Sequence, residues 1–74
     1  MKAVQVLGHL LEQDSMFEDS EGFVVVSLSG DTYEVLQGDH SYGSGGLEHA
    51  TEVYLKWSGW SDEEFVALHA SEAG

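Results

Sequence analysis

Residues 23–36 read Phe23-Val24-Val25-Val26-Ser27-Leu28-Ser29-Gly30-Asp31-Thr32-Tyr33-Glu34-Val35-Leu36. β-branched and aromatic residues, which are typical of strands, fill both halves of this stretch. The polar triplet Ser29-Gly30-Asp31 between them is a turn signal. The pattern therefore predicts a β-hairpin with Gly30 in its turn, and we expect an antiparallel sheet to be built around it.

A helix start is the clearest signal towards the C-terminus, in Trp60-Ser61-Asp62-Glu63-Glu64-Phe65. Ser61 can cap the helix, and Glu64, three residues later, completes a capping box. Trp60 and Phe65 occupy the positions of a hydrophobic staple. The sequence predicts one helix that begins at about Asp62 and ends in a frayed tail at residues 71–74.

Two further segments favour strands. In residues 47–57, Thr51, Val53, Leu55 and Trp57 stand at every second position, the period of a strand with one face in the core. Residues 2–12 fit both helical and alternating spacing, and Gly8 is a poor helix residue. A strand with an irregularity at Gly8 is therefore favoured for this segment, with a helix as the alternative.

The remaining long connection, residues 38–46, contains 4 glycines and predicts a flexible glycine-rich loop. The sequence shows no internal repeat and no second domain. We therefore expect a single domain over residues 1–74 of the α+β class. Its predicted architecture is a small antiparallel β-sheet of about four strands with one C-terminal α-helix.

Charge is the most unusual property of the chain. The sequence contains 14 Asp and Glu residues against 2 Lys residues and no Arg, for a formal net charge of -12. Such a field repels nucleic acid and anionic membranes and attracts basic protein surfaces. A net charge of about 2 to 8 is enough to keep a small domain soluble. The excess indicates a function in binding a basic protein.

The sequence also restricts where the protein works. It contains no cysteine, as is common in a reducing compartment. Its apolar runs are shorter than the roughly 20 residues of a membrane span. Gly8, His9 and Glu12 interrupt the first apolar run before the core of a secretory leader could form. We therefore expect a cytoplasmic protein that does not bind membranes.

Metal binding and catalysis find little support in the sequence. The carboxylates between Glu12 and Glu21 lack the ligand spacing of a calcium loop, and the 4 histidines are scattered. The sequence contains no Gly-x-Ser-x-Gly elbow, and Gly43-Ser44-Gly45-Gly46 lacks the Lys of a phosphate-binding loop. We expect no metal, no cofactor and no enzymatic activity.

The segment Tyr54-Leu55-Lys56-Trp57-Ser58-Gly59-Trp60-Ser61-Asp62-Glu63 resembles the strand-turn segment of chromodomains, where a Lys-Trp-x-Gly-aromatic run contributes to a methyl-lysine cage. The resemblance covers these ten residues. The next residues, Glu64-Phe65-Val66-Ala67, depart from the family's Asn-x-Trp-Glu-Pro stretch. The resemblance implies a peptide-binding module, whereas packing favours Trp57 in the core and Trp60 as a helix staple.

In size, acidity, lack of cysteine and α+β composition, the whole chain resembles small acidic phage-encoded anti-CRISPR and anti-restriction proteins, several of which are DNA mimics. The resemblance implies a non-enzymatic inhibitor in the cytoplasm of a bacterial host. It would occupy a nucleic-acid-binding site of a CRISPR effector or nuclease. An antitoxin or immunity protein that neutralises a basic partner is the alternative that needs the same acidic surface.

The candidate partner-binding residues are the acids that precede the helix start, because Asp62, Glu63 and Glu64 are explained by the helix dipole. They are Glu12, Asp14, Glu18, Asp19, Glu21, Asp31, Glu34, Asp39, Glu48 and Glu52. Alternate strand residues lie about 6.6 Å apart, so rows of carboxylates could approximate the anionic spacing of a nucleic-acid backbone. Tyr42, Tyr54 and Trp60 are candidate aromatic anchors, because Tyr and Trp are enriched at interface hot spots.

Overall fold

The computed structural model describes residues 1–73 of the chain. It contains three helices and four strands, which confirms the α+β class and the antiparallel sheet but not the single helix. In chain order these are α1 (Ala3–Asp14), β1 (Met16–Glu18), β2 (Phe23–Ser29), β3 (Thr32–Gln37), β4 (His40–Gly45), α2 (Leu47–Ser58) and α3 (Asp62–Ala73). The sheet order is β1-β2-β3-β4, so each strand pairs with its neighbour in sequence.

The predicted hairpin is confirmed as the centre of this sheet. Val25 of β2 lies opposite Val35 of β3, and Phe23 lies opposite Gln37. Gly30 has φ 52° in the turn, a left-handed conformation that glycine adopts without the steric cost of a Cβ. The register shifts between Ser27 and Ser29, next to the turn.

The sheet has one covered face and one open face. Phe17, Phe23, Val25 and Val35 are buried, and they belong to one core cluster with residues of all three helices. Side chains of a strand alternate between faces, so the residues between these four lie on the other side. The structure is therefore a two-layer arrangement, with the core between the helices and one face of the sheet.

The first segment is a helix, and the favoured strand interpretation is wrong. Val6 and Leu7 are both fully buried, which a strand could not achieve with one face in the core. A helix brings them onto one stripe with Ala3 and Leu11. At Gly8, a Cβ would lie 3.0 Å from Leu47 Cδ2, so the glycine that argued against a helix allows close packing of α1 on the start of α2.

Residues 47–58 also form a helix, α2, where the sequence pattern predicted a strand over 47–57. Ala50, Thr51 and Tyr54 are its buried residues, and they follow helical spacing. Trp57, predicted to lie in the core, is 53% exposed. The helix ends at Gly59, whose φ of 84° closes it with an N–H···O bond of 3.0 Å to Leu55.

The glycine-rich segment 38–46, predicted to be a loop, contains strand β4. β4 pairs with β3 through Tyr33 opposite Gly45, Val35 opposite Gly43 and Gln37 opposite His40. A Cβ on Gly45 would lie 2.7 Å from the His49 ring, so glycine is needed where α2 approaches the strand. Gly45 therefore serves close packing, whereas Gly38 and Gly43 adopt positive φ values of 59° and 112°.

Helix α3 begins as predicted. Ser61 Oγ accepts the Glu64 backbone N–H at 3.1 Å, and Glu64 Oε1 accepts the Ser61 backbone N–H at 3.1 Å, which confirms the capping box. Phe65 is 1% exposed, and Trp60 packs against the core. The helix continues through Ala73, so residues 71–73 are part of α3, and Gly74 lies outside the described residues.

Aromatic edge contacts hold the layers together. The rings of Phe17, Tyr54 and Phe65 lie 5.6 to 5.7 Å apart in T-shaped pairs, which join β1, α2 and α3.

No described helix combines the length and apolar character that a membrane crossing requires.

Candidate protein interface

The open face of the sheet carries an apolar stripe. Met16 and Leu28 are 50% and 52% exposed, and Val24, Val26 and Leu36 between them are partly exposed. Register places Met16 opposite Val26 and Val24 opposite Leu36, and Leu28 follows Val26 on β2 at the register shift beside the turn. None of the five belongs to the core or to the residues packed against it. We call these five residues the open-face stripe.

Carboxylates border the open-face stripe. Glu18 lies opposite Val24 on β1, and Glu34 lies opposite Val26 on β3. Side chains directly opposite on an antiparallel pair share a face, so both acids flank the valines. Ser41 Oγ donates to Glu34 Oε2 at 2.7 Å, which orients that carboxylate beside the stripe. An apolar centre with a charged rim is the usual anatomy of a protein interface.

The acids are almost entirely free of cationic partners. All acidic side chains except Asp19 and Glu34 are exposed. Within residues 1–73, the carboxylates pair only with histidines, His9 with Glu12 and His69 with Glu72, and neither Lys2 nor Lys56 forms an ion pair. The negative field is therefore available to a partner in solution.

The structure distributes the ten predicted acids over the whole surface. Glu12 and Asp14 lie at the end of α1, Glu48 and Glu52 lie on α2, Glu18 and Glu34 lie on the open face, and Asp19, Glu21, Asp31 and Asp39 lie in the turns between strands. The expected strand rows of carboxylates do not form, because four of the ten acids are helical and four lie in turns. The open face brings together only Glu18 and Glu34.

Asp19 is a structural residue rather than an exposed contact. Its Oδ1 accepts the backbone N–H groups of Glu21 and Phe23, both at 2.9 Å, and its Oδ2 accepts the Tyr54 hydroxyl at 2.8 Å. These bonds shape the β1–β2 turn and tie it to α2. The prediction of Asp19 as a partner-binding residue therefore has a competing explanation in its three intramolecular bonds.

Tyr54, a predicted anchor, is completely buried and cannot contact a partner. Burial, with the hydrogen bond to Asp19 and its negative charge, raises the pKa of Tyr54 well above its ordinary value. The phenol therefore stays protonated and donates to Asp19. The error arose because α2 was predicted as a strand with Tyr54 on its outer face.

Tyr42 belongs to an aromatic cluster at the surface. Its ring stacks on Trp57 with centroids 5.2 Å apart and lies 4.5 Å from the His40 ring. Lys56 Nζ lies 5.2 Å from the centroid of the Trp57 ring. Tyr42 remains a candidate anchor, and Trp57 joins it, although its strand-like spacing had suggested the core.

The strand-turn geometry on which the chromodomain resemblance depends is not formed. The segment from Tyr54 to Ser58 is helical, with Tyr54 inside and Trp57 outside against Tyr42. Trp60, in the link to α3, packs against the core instead. The three aromatic residues therefore do not share one exposed cage.

Trp60, the third predicted anchor, lies in a cleft with Glu21. The cleft is bounded by the β1–β2 turn, the end of β3 and the α2–α3 link, and it also contains Gln37 and Glu64. The indole N–H of Trp60 is buried and has no hydrogen-bond partner among residues 1–73. The fold thus brings together an anchor and an acid that lie far apart in sequence.

The sequence interpretation missed the open-face stripe. The signal was present, because Phe23-Val24-Val25-Val26 is apolar at every position rather than at alternate ones. Such a run is typical of a strand covered on both faces. In this fold the helices cover only one face, so Val24 and Val26 are left without a covering layer.

Within residues 1–73, no group of three or more His, Asp and Glu side chains is arranged to hold a metal ion.

Comparison of the chain with protein-family models, with curated proteins and with solved structures found no match.

Proposed function

We propose that this protein is a non-enzymatic binding protein that docks its open sheet face on a basic surface of another protein. The observation that carries the proposal is the open-face stripe between Glu18 and Glu34. Large contiguous apolar patches are rare on monomers and often mark an interaction site. The carboxylates at the rim of the stripe indicate that the partner's surface is positively charged.

Electrostatics supports a strongly basic partner. With a formal net charge of -12 and no carboxylate paired with lysine in the described chain, the protein is repelled by acidic surfaces and steered towards basic ones. The densest basic surfaces on proteins are those that bind nucleic acid. We therefore propose an inhibitor of a nucleic-acid-binding protein, in line with the resemblance to anti-CRISPR and DNA-mimic proteins of bacterial hosts.

The apolar stripe favours docking by shape and burial as well as charge. A partner that covered the stripe would gain about 25 cal/mol for each Å² of apolar surface removed from water. The charges would set the rate of association and its dependence on salt. Binding should therefore weaken at high salt, and the remaining affinity should depend on the stripe.

The test is capture from a bacterial lysate at low salt on immobilised protein, followed by elution with short duplex DNA. We expect a nucleic-acid-binding protein to be retained and released by the DNA. Retention of a basic protein that DNA does not release would support the antitoxin or immunity alternative instead. The proposal would be contradicted if the immobilised protein retained no more basic protein than an unrelated acidic protein does.

Matched variants make the test specific to the open face. V24T/V26T keeps β-branched residues on β2 but makes the stripe polar, while the control Leu68→Ser removes an exposed apolar side chain on α3, outside the stripe. E18Q/E34Q removes two charges on the open face, with E63Q/E72Q as the control that removes two charges on α3. Only the open-face variants should reduce retention, and equal effects of the controls would contradict the assigned surface.

A further inference from the structure

The cleft that contains Trp60 has the composition of a cation-binding site. It is an open cleft of about 300 Å³ that is lined by Glu21, Phe23, Gln37, Ser58, Trp60 and Glu64. Two carboxylates therefore border an opening whose walls include two aromatic residues. Aromatic faces attract cations, and carboxylates pair with them.

Hydrogen bonds hold the cleft in shape. Gln37 Nε2 donates to the Glu21 backbone carbonyl at 3.2 Å, and Gln37 Oε1 accepts the Tyr42 hydroxyl at 3.2 Å. The Asp19 carboxylate fixes the same turn through the Glu21 backbone N–H. The turn that carries Glu21 is therefore anchored at its backbone, and its carboxylate remains free for a ligand.

Glu64 is fixed on the other side of the cleft. Its Oε1 accepts the Ser61 backbone N–H in the capping box, and its Oε2 has no hydrogen-bond partner within residues 1–73. The side chain thus has a defined position with one free carboxylate oxygen. Such preorganisation lowers the entropic cost of binding a ligand.

We propose that this cleft binds the guanidinium group of an arginine side chain. A guanidinium has five N–H donors in a plane, which suits two carboxylates, and its flat face can stack on an aromatic ring such as Trp60. An ammonium group offers neither the plane nor the fork. Phe23 and Gln37 place the cleft on the covered side of the sheet, away from the open-face stripe. Binding of the guanidinium group therefore goes beyond the proposed function and does not depend on the partner that docks on the open face.

The experiment is a titration of the ¹⁵N-labelled protein with N-acetyl-L-arginine amide, followed by NMR. The citrulline analogue, which is neutral and similar in shape, and the lysine analogue serve as comparison ligands. We expect saturable shifts of the Trp60 indole N–H and of the Glu21 and Glu64 backbone amides. The Trp57 indole N–H, outside the cleft, should stay unchanged.

Variants separate the cleft from the general negative field. Glu64→Gln keeps the capping box, in which Gln also functions, but removes the charge. Glu63→Gln removes the same charge one residue away, outside the cleft. We expect Glu21→Gln and Glu64→Gln each to weaken arginine binding about two- to fivefold, because both carboxylates are exposed and exposed ion pairs contribute modestly. Glu63→Gln should retain it.

Several outcomes would overturn the proposal: equal shifts with the citrulline or lysine analogue, equal loss in Glu63→Gln, or equal movement of both indole resonances. The two proposals can also fail separately. Lysate capture without arginine binding would refute the cleft alone. Arginine binding without capture of any basic protein would refute the proposed function and leave the cleft as an arginine site.

Discussion

Replacement of Tyr54 by Phe tests whether the buried Tyr54–Asp19 hydrogen bond stabilises the fold. The Tyr54 ring is 0% exposed, and its hydroxyl donates to Asp19 Oδ2 at 2.8 Å. Phe preserves the ring contacts with Phe17 and Phe65 and removes only the donor. A hydrogen bond to a charged group contributes roughly 1.5 to 3 kcal/mol, so Tyr54→Phe should lower the free energy of unfolding by about 2 kcal/mol at pH 7.

The same bond predicts a specific pH dependence. Burial and the Asp19 carboxylate raise the pKa of Tyr54, so in alkaline solution the unfolded state loses the phenolic proton while the folded state keeps it. Above the ordinary pKa of about 10, this difference lowers stability by about 1.4 kcal/mol for each pH unit. The Tyr54→Phe variant has no phenolic proton at this position. The difference in the free energy of unfolding between the native protein and the variant should therefore fall to zero near pH 11.5, about 1.5 units above the ordinary pKa.

The assay is urea denaturation of both proteins at several pH values from 7 to 12, monitored by circular dichroism. Comparison of the two proteins cancels the titration of all other groups. A stability difference that stays near its pH 7 value up to pH 12 would refute the reasoning. The control, Tyr33→Phe, changes a tyrosine that is only partly buried and should lower stability at pH 7 much less than Tyr54→Phe does.

Three further measurements test other parts of the structure. Phe65→Ala should lower the free energy of unfolding by about 3 kcal/mol in urea denaturation, since the ring is 1% exposed in the aromatic core; a loss below about 1 kcal/mol would contradict its assigned burial. Ser61→Ala should cost about 1 kcal/mol by the same assay, because it removes the cap of α3, and it should cost less in a Glu64→Ala background where the capping box is already broken. The thermal midpoint should rise with added salt, because the mostly exposed carboxylates repel one another; a flat or falling midpoint would show that their charges are well dispersed.

The hairpin and the start of α3 were predictable because their determinants are local. Gly30 supplies the turn conformation between two strand-forming runs, and Ser61 and Glu64 are three residues apart on one capping box. Such interactions need no knowledge of distant residues. The same holds for the net charge and for the expectation that most acids are exposed.

Helices α1 and α2 were not predictable in this way, because their competing periodicities are both present in the sequence. In α2, alternation of Thr51, Val53, Leu55 and Trp57 suits a strand, while Ala50 and Tyr54 suit a helix. Packing stabilises the helix over the strand, because the helical stripe buries Ala50 and Tyr54 against the sheet. Local preference is weak compared with tertiary burial.

The candidate site shows the same division. The amino-acid sequence by itself determined the charge, the hairpin and the capped helix, because composition and contacts within a few residues suffice for them. Only the tertiary structure decided that Val24 and Val26 face away from the core, that Tyr54 is buried on Asp19, and that Glu21 meets Trp60 in one cleft. These depend on which face of the sheet the helices cover, and that choice is made by contacts between residues tens of positions apart.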